Sequence, residues 1–184
     1  MKTKVIFMFP QYTGIFLNKN AKRNLLSCDD DNILKPMHNK RFGHHITINF
    51  QPGKSPDIKW GAKVDLHVTR HIHDAYCQII EVTPIEMIYK DGNNSTIVTD
   101  PTEMCTLLGT NERRFYITIS AQREGENGER ITHEYSEKLL NMSKKECDIN
   151  HVTNTDISTN QIVLSGFCGM HGDAIVENIR RRVK

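Results

Sequence analysis

Two short stretches of this chain carry, at a fixed spacing, side chains able to move protons or grip an anion. In Phe42-Gly43-His44-His45-Ile46-Thr47-Ile48-Asn49-Phe50 a histidine is followed two residues later by a threonine. In Phe115-Tyr116-Ile117-Thr118-Ile119-Ser120 a tyrosine takes the histidine's place. An imidazole, with an ordinary pKa of about 6.5, can take or give a proton at neutral pH. A phenol, near about 10, is a donor but a poor base there. Threonine hydroxyls can donate and accept hydrogen bonds. The tripeptide Ile-Thr-Ile occurs in both stretches, so they read as one design used twice, with His45 in the first and Tyr116 in the second.

The spacing matters only if both stretches are strands, because side chains two apart then share a face. His45 and Thr47 point one way, and Ile46, Ile48 and Phe50 enter a core. Tyr116, Thr118 and Ser120 point one way, and Phe115, Ile117 and Ile119 the other. The two polar faces are expected to open on one cleft. The rest of the chain reads as support. Residues 5–9 and 12–17 form short strands parted by Pro10. Asn18 or Asn20 caps a helix through Ala21, Leu25 and Leu26. After the breaker-rich loop at 51–56, residues 63–73 form a strand with 76–82 as its hairpin partner. Residues 85–89 and 95–98 form a second hairpin around Asp91-Gly92-Asn93. Residues 102–108 form a short helix, and 122–130 a charged, glycine-rich loop. Thr132 caps a helix running to about Lys145, with Tyr135, Leu139 and Met142 on one face. Residues 148–160 are irregular, 161–168 form a strand, and Asp173 caps a last helix with Ile175, Ile179 and Val183 inward.

At 184 residues the chain suits one domain with a real core, spanning 1–184. A net charge of +2 leaves any basic site local rather than global. Five cysteines without a CxxC pair read as reduced thiols in a cytoplasmic protein. The opening apolar run is shorter than the roughly 7–15 residues of a secretory leader and reads as a strand. No stretch reaches the ~18 apolar residues of a membrane span, so no membrane partner is expected.

Other groupings carry less. Asp65, His67, Thr69, His71 and His73 share one parity of their strand. That face either lines the cleft, is simply solvated, or offers a metal an H-x-H pair, for which no distant carboxylate can be assigned. Cys168-Gly169-Met170-His171 pairs a thiol with an imidazole but lacks an orienting third group. Asp29-Asp30-Asp31-Asn32 lacks the spacing and glycine of a calcium loop. Arg180, Arg181, Arg182 and Lys184 complement a helix C-terminus. His44, His133 and His171 are not placed by any pattern.

His45-Ile46-Thr47-Ile48 resembles the first signature of the 2H phosphoesterase superfamily, hydrophobic-His-x-Thr/Ser-hydrophobic, and Tyr116-Ile117-Thr118-Ile119 stands where the second would be. The flanks are similar to the Swiss army knife RNA repair-like subgroup: Tyr12-Thr13-Gly14-Ile15, the pair His44-His45, and Tyr135-Ser136-Glu137-Lys138-Leu139-Leu140. The resemblance covers about residues 12–170. It implies a bilobal α+β domain of antiparallel sheets around a concave groove, with helices on the outer faces. It implies metal-independent hydrolysis of a nucleotide or RNA end bearing a cyclic or terminal phosphate, such as a 2′,3′-cyclic phosphate. One histidine would take a proton from water, a second would give one to the leaving oxygen, and the hydroxyls would hold the phosphate.

The departure is Tyr116, where that family has its second histidine. The expected catalytic set is therefore His45, Thr47, Tyr116 and Thr118, with Tyr12, His44, Ser120 and His71 binding substrate and no metal or cofactor. The alternative is a catalytically silent nucleotide- or RNA-binding module in the same groove. A second imidazole facing His45 would favour the enzyme, and Tyr116 alone the binding module. The sequence does not specify oligomeric state.

Overall fold

Alternating apolar and polar side chains build most of the strands, and asparagine, aspartate or serine starts three of the four α-helices among the described residues. The computed structural model describes residues 12–50, 58–111, 114–125 and 131–171. In chain order these form β1 (Tyr12–Leu17), α1 (Lys19–Leu25), β2 (Lys40–Arg41), β3 (His45–Phe50), β4 (Lys63–His73), β5 (Cys77–Asp91), β6 (Asn94–Val98) and α2 (Pro101–Leu108). There follow β7 (Phe115–Ala121), α3 (His133–Asn141), α4 (Lys144–Ile149), β8 (Thr153–Asp156), a 3₁₀ turn (Ser158–Asn160) and β9 (Val163–His171). The strand expected at 5–9, the loop at 51–56, the end of the loop at 122–130 and the helix from Asp173 lie outside the described residues.

The fold is α+β. The strands make one antiparallel sheet in the order β2-β7-β5-β4-β9-β1-β3, with β6 beside β5 and β8 beside β4. Each face carries its own core. On one, Ile15, Ile46, Val64, Leu66, Val68, Ile80, Val82, Ile117 and Ile119 pack with Leu25 of α1 and Met104 and Leu108 of α2. On the other, Ile72, Cys77, Ile79 and Ala121 pack with Leu139 and Leu140 of α3 and Cys147 of α4. Each fully buried aliphatic side chain contributes about 1.5–3 kcal/mol. Asn18 caps α1, its side chain accepting from the Ala21 N–H at 2.9 Å.

The two ends of the sheet meet on one short segment. Lys40 and Arg41 pair with Ala121 and Ser120 of β7. The Phe42 and Gly43 N–H groups continue that ladder, donating to the Ile119 and Thr118 carbonyls at 2.8 Å. The chain then turns at Gly43, whose φ of +50° suits glycine, and enters β3, which pairs with β1. A curled sheet results, with β3 brought against β7.

Four expectations are corrected. The strands expected at 76–82 and 85–89 are one strand, β5. Pro84 interrupts nothing because it falls where β5 has left β7 and not yet met β6, so on that side no ladder needs its missing N–H. The single helix expected from Thr132 is two: Met142 is extended (φ −61°, ψ 132°), and Ser143 opens α4 with a reciprocal capping box to Glu146. Thr132 precedes α3 without a side-chain cap bond. The irregular stretch at 148–160 contains the end of α4, the short edge strand β8 and the 3₁₀ turn. Asp91-Gly92-Asn93 does form the tight, exposed turn expected, with Asp91 paired to Asn94.

Candidate functional site

The His45 wall is built by β1 and β3. Phe16 lies opposite His45, and Gly14 opposite Thr47, after an irregularity in register between Thr13 and Gly14. A Cβ on Gly14 would sit 2.3 Å from the Ile46 carbonyl oxygen, so only glycine permits this approach of the strands. The His45 ring stacks with Tyr12 (centroids 5.1 Å apart) and Phe16 (5.8 Å). His44 is exposed, its ring 4.4 Å from that of His45 and its Nδ1 2.9 Å from the Phe42 carbonyl oxygen. Burial holds the Tyr12 phenol above its ordinary pKa, so it stays a neutral hydrogen-bonding group.

The opposite wall is β7 with α3 laid over it. The Tyr116 hydroxyl is hydrogen-bonded to His133 Nδ1. Thr118 Oγ1 lies 3.1 Å from Ser136 Oγ, and Ser136, 1% exposed, also meets Cys77 Sγ at 3.5 Å. Burial pushes the Cys77 thiol up to about 11, which makes it a packing group rather than a nucleophile. Further contacts fasten α3. Tyr135 donates to Asp74 at 2.5 Å, and Asp74 also accepts the Tyr76 and Cys77 N–H groups that close the β4–β5 turn. Glu81, 7% exposed, accepts from Arg70 Nε with one oxygen and from Arg114 Nε with the other (2.7 Å). Both guanidinium groups also donate to the Leu140 carbonyl, at 3.3 and 3.2 Å, which ties the C-terminal turn of α3 to the sheet.

Between the walls lies a cavity of about 440 Å³, within the range of small-molecule sites. His45, Thr47, Tyr116, Thr118, Tyr12 and His44 all line it, joined by His133, Ser136, Phe42 and Lys40. Lys40 Nζ lies 5.1 Å from the centroid of the Phe42 ring. The described residues of this lining include an ammonium, three imidazoles and several hydroxyls but no carboxylate, a wall suited to an anion. A second hollow of about 310 Å³ shares Thr47, Tyr116 and His133 and runs on to Arg114, Glu137 and Asn141.

Ser120 and His71 do not line the cavity, for the same physical reason. In β7 the register slips so that Gln78 pairs with Ser120 and Ile79 with Thr118, leaving Ile119 as an extra residue. In β4 Val68 pairs with Val82 and Arg70 with Glu81, leaving Thr69 extra. An inserted residue reverses the face that later side chains present. Ser120 therefore turns away from Thr118, donates to Gln78 Oε1 at 2.7 Å and accepts from the Met37 and His38 N–H groups. Val68 and Ile72, of one parity, belong to different cores. His71 accordingly faces away from α3, its Nε2 3.0 Å from the Gln78 amide nitrogen, and its pKa is lowered to about 4 by burial and by neighbouring His73. The single polar face read along β4 is thus split, with His67 on the other side, bonded to the Ser158 carbonyl oxygen at 2.9 Å. Among the described residues no group of three His, Cys, Asp or Glu side chains is placed to hold a metal. Cys168 is buried, its thiol pushed up to about 12. The side chain of His171 lies outside the described set.

His133 is the residue that alternation could not place. It stands at the start of α3, two positions before the Tyr135-Ser136 pair, and its only signal in the sequence was that nearness. Compared with protein-family models, with curated proteins and with solved structures, the chain matches none. Among the described residues no helix is long and apolar enough to cross a membrane.

Proposed function

We propose that this chain is a 2H-type phosphodiesterase acting on a nucleotide or RNA end that carries a cyclic phosphate, such as a 2′,3′-cyclic phosphate. One observation carries the reading: the His45-x-Thr47 and Tyr116-x-Thr118 stretches, from strands near opposite ends of the sheet, line a single cavity rich in imidazoles and hydroxyls. In this reading the β1–β3 wall and the β7–α3 wall are the two lobes of the family's groove. His45 takes a proton from water as the water oxygen attacks phosphorus. The bond from phosphorus to one ribose oxygen breaks, and the Tyr116 hydroxyl gives that oxygen its proton. Thr47 and Thr118 donate to the non-bridging oxygens, and the rings of Tyr12 and Phe42 offer apolar faces to a base.

The test is a panel of cyclic-phosphate nucleotides and short oligonucleotides incubated with the protein in EDTA, with products separated by chromatography. Ring opening is expected, and His45→Ala should slow it about 10²–10⁴-fold. Binding without turnover, abolished by His45→Ala, would make the groove a silent nucleotide- or RNA-binding module instead. Neither turnover nor binding would remove both readings.

A further inference from the structure

We infer that His133 is the second imidazole of the site, acting through Tyr116. The inference rests on the phosphodiesterase reading above and assigns its proton source. A tyrosine in place of a histidine poses a chemical problem: a phenol gives up its proton to a leaving alkoxide readily, but must then be reprotonated each turnover at neutral pH. The helix laid over β7 supplies a group for that. The Tyr116 oxygen bonds His133 Nδ1, and both side chains line the same cavity as His45. The two rings are tilted by 50° with centroids 5.5 Å apart.

The step balances as follows. Water loses a proton to His45 and forms the new P–O bond. The departing ribose oxygen takes the electron pair of the old P–O bond and the phenolic proton of Tyr116. Tyr116 takes the Nδ1 proton of protonated His133. His45 ends protonated and His133 neutral, and exchange with solvent restores both. The charged and titratable groups around the pair are Glu81, which lies opposite Tyr116 across β5 and β7, together with Arg114 and Glu137 in the adjoining hollow. Lys40, His44, His45 and Tyr12 face it across the cavity. Arg70 and Arg114 both pair with Glu81, so the trio is net positive rather than negative.

The fastening of α3 by Tyr135, Ser136 and the Leu140 carbonyl gives His133 a fixed place over the strand. The sequence separation of 17 between Tyr116 and His133 means that nothing local imposes their contact. A strand residue and a helix residue together thus do what one strand histidine does in the family this chain resembles.

The experiment is the pH–rate profile of wild type, His133→Asn, His133→Ala, Tyr116→Phe and the double variant His133→Ala/Tyr116→Phe, on whichever cyclic phosphate the wild type opens. Asparagine can keep a hydrogen bond to the phenol but cannot take up a proton and hand it on near neutral pH. The relay requires that His133→Asn fail to rescue, that both His133 variants lose about 10²–10³-fold in kcat, and that the alkaline limb of the wild-type profile shift or disappear. It also requires that the double variant be no slower than the worse single one, because the pair acts as a unit. Rescue by His133→Asn with an unmoved alkaline limb would make His133 a mere support and overturn the inference alone. A wild type that opens no cyclic phosphate would overturn the phosphodiesterase reading and the relay with it. In that case the His133 ring, followed by NMR in wild type and Tyr116→Phe, would still report whether the hydrogen bond exists.

Discussion

The hydroxyl of Tyr116 and Nδ1 of His133 are hydrogen-bonded across the join between strand β7 and helix α3. The bond places a phenol and an imidazole on one wall of a cavity whose opposite wall carries His45. The helix that brings His133 there is itself held by Ser136 on Thr118, Tyr135 on Asp74, and the Leu140 carbonyl on two arginines. The properties of the site therefore depend on groups well behind its surface.

Binding and chemistry should separate by residue. Thr47→Val and Thr118→Val remove hydroxyls assigned to the phosphate. Each should weaken binding of a nucleoside 3′-monophosphate about tenfold or somewhat more, since hydrogen bonds to a charged group contribute about 1.5–3 kcal/mol. His45→Ala should leave that affinity within a few-fold and slow ring opening about 10²–10⁴-fold. Calorimetric titration of the four proteins checks this, and a His45→Ala variant that no longer binds would count against its role as a base.

Glu81→Ala should destabilise the fold by about 2–3 kcal/mol. The figure lies below the ~3–5 kcal/mol of a fully buried pair because Arg114 is 51% exposed and Arg70 25%. The loss should appear in chemical denaturation. It should also loosen α3, so that the His133 and Tyr116 resonances broaden or shift while those of His45 do not. Unchanged stability would mean that the two arginines find water as good a partner.

Stability should fall on mild acidification. Burial lowers the pKa of His71 to about 4, and those of His38 and His73 are also lowered chiefly by burial. Folding keeps these rings neutral, while the unfolded chain takes up protons near about pH 6.5. As pH falls from about 6.5 to about 4 the unfolded state therefore binds more protons, and stability declines; it is retained above that window. For His71, only partly buried, the change is about 1–2 kcal/mol after allowance for solvent screening. His71→Gln, which keeps an acceptor for Gln78 and cannot titrate, should flatten the slope between pH 7 and pH 5. A slope identical to wild type would place the acid sensitivity elsewhere.

Gly43→Ala should cost about 1–2 kcal/mol, because φ is +50° there and a side chain in that region is disfavoured by about that amount. The new methyl group would also lie 2.7 Å from Leu26 Cδ2. Thermal melting of the variant checks the expectation, and an unchanged Tm would show that the corner between β2 and β3 tolerates a different turn.

Local pattern carried some parts of this structure and not others. The strands holding His45 and Tyr116, the bounds of β4, the Asn18 cap and the Asp91–Asn94 turn were legible because each depends on neighbours in sequence. Ser120 and His71 were misplaced because Ile119 and Thr69 are extra residues in their ladders, and an extra residue is defined only by the partner strand. β8 was invisible because all four of its residues are polar and exposed, so it has no alternation to read. His133 could not be assigned because its position over Tyr116 comes from how α3 docks, and that docking rests on Glu81, Asp74 and Ser136, scattered along the chain.

The meeting of the sheet's two ends at residues 40–50 also bears on how the proposed site would come apart. His45 lies on β3 at one end of the hydrogen-bonded order and Tyr116 on β7, second from the other end, so neither half of the molecule contains the whole of the proposed site. Closure also needs contacts between residues far apart in the chain, which form late and slowly in folding. Under the proposed phosphodiesterase reading, turnover is therefore a faithful gauge of complete assembly. In a denaturant titration it should vanish in step with the last cooperative loss of sheet structure, with no active intermediate surviving past that point.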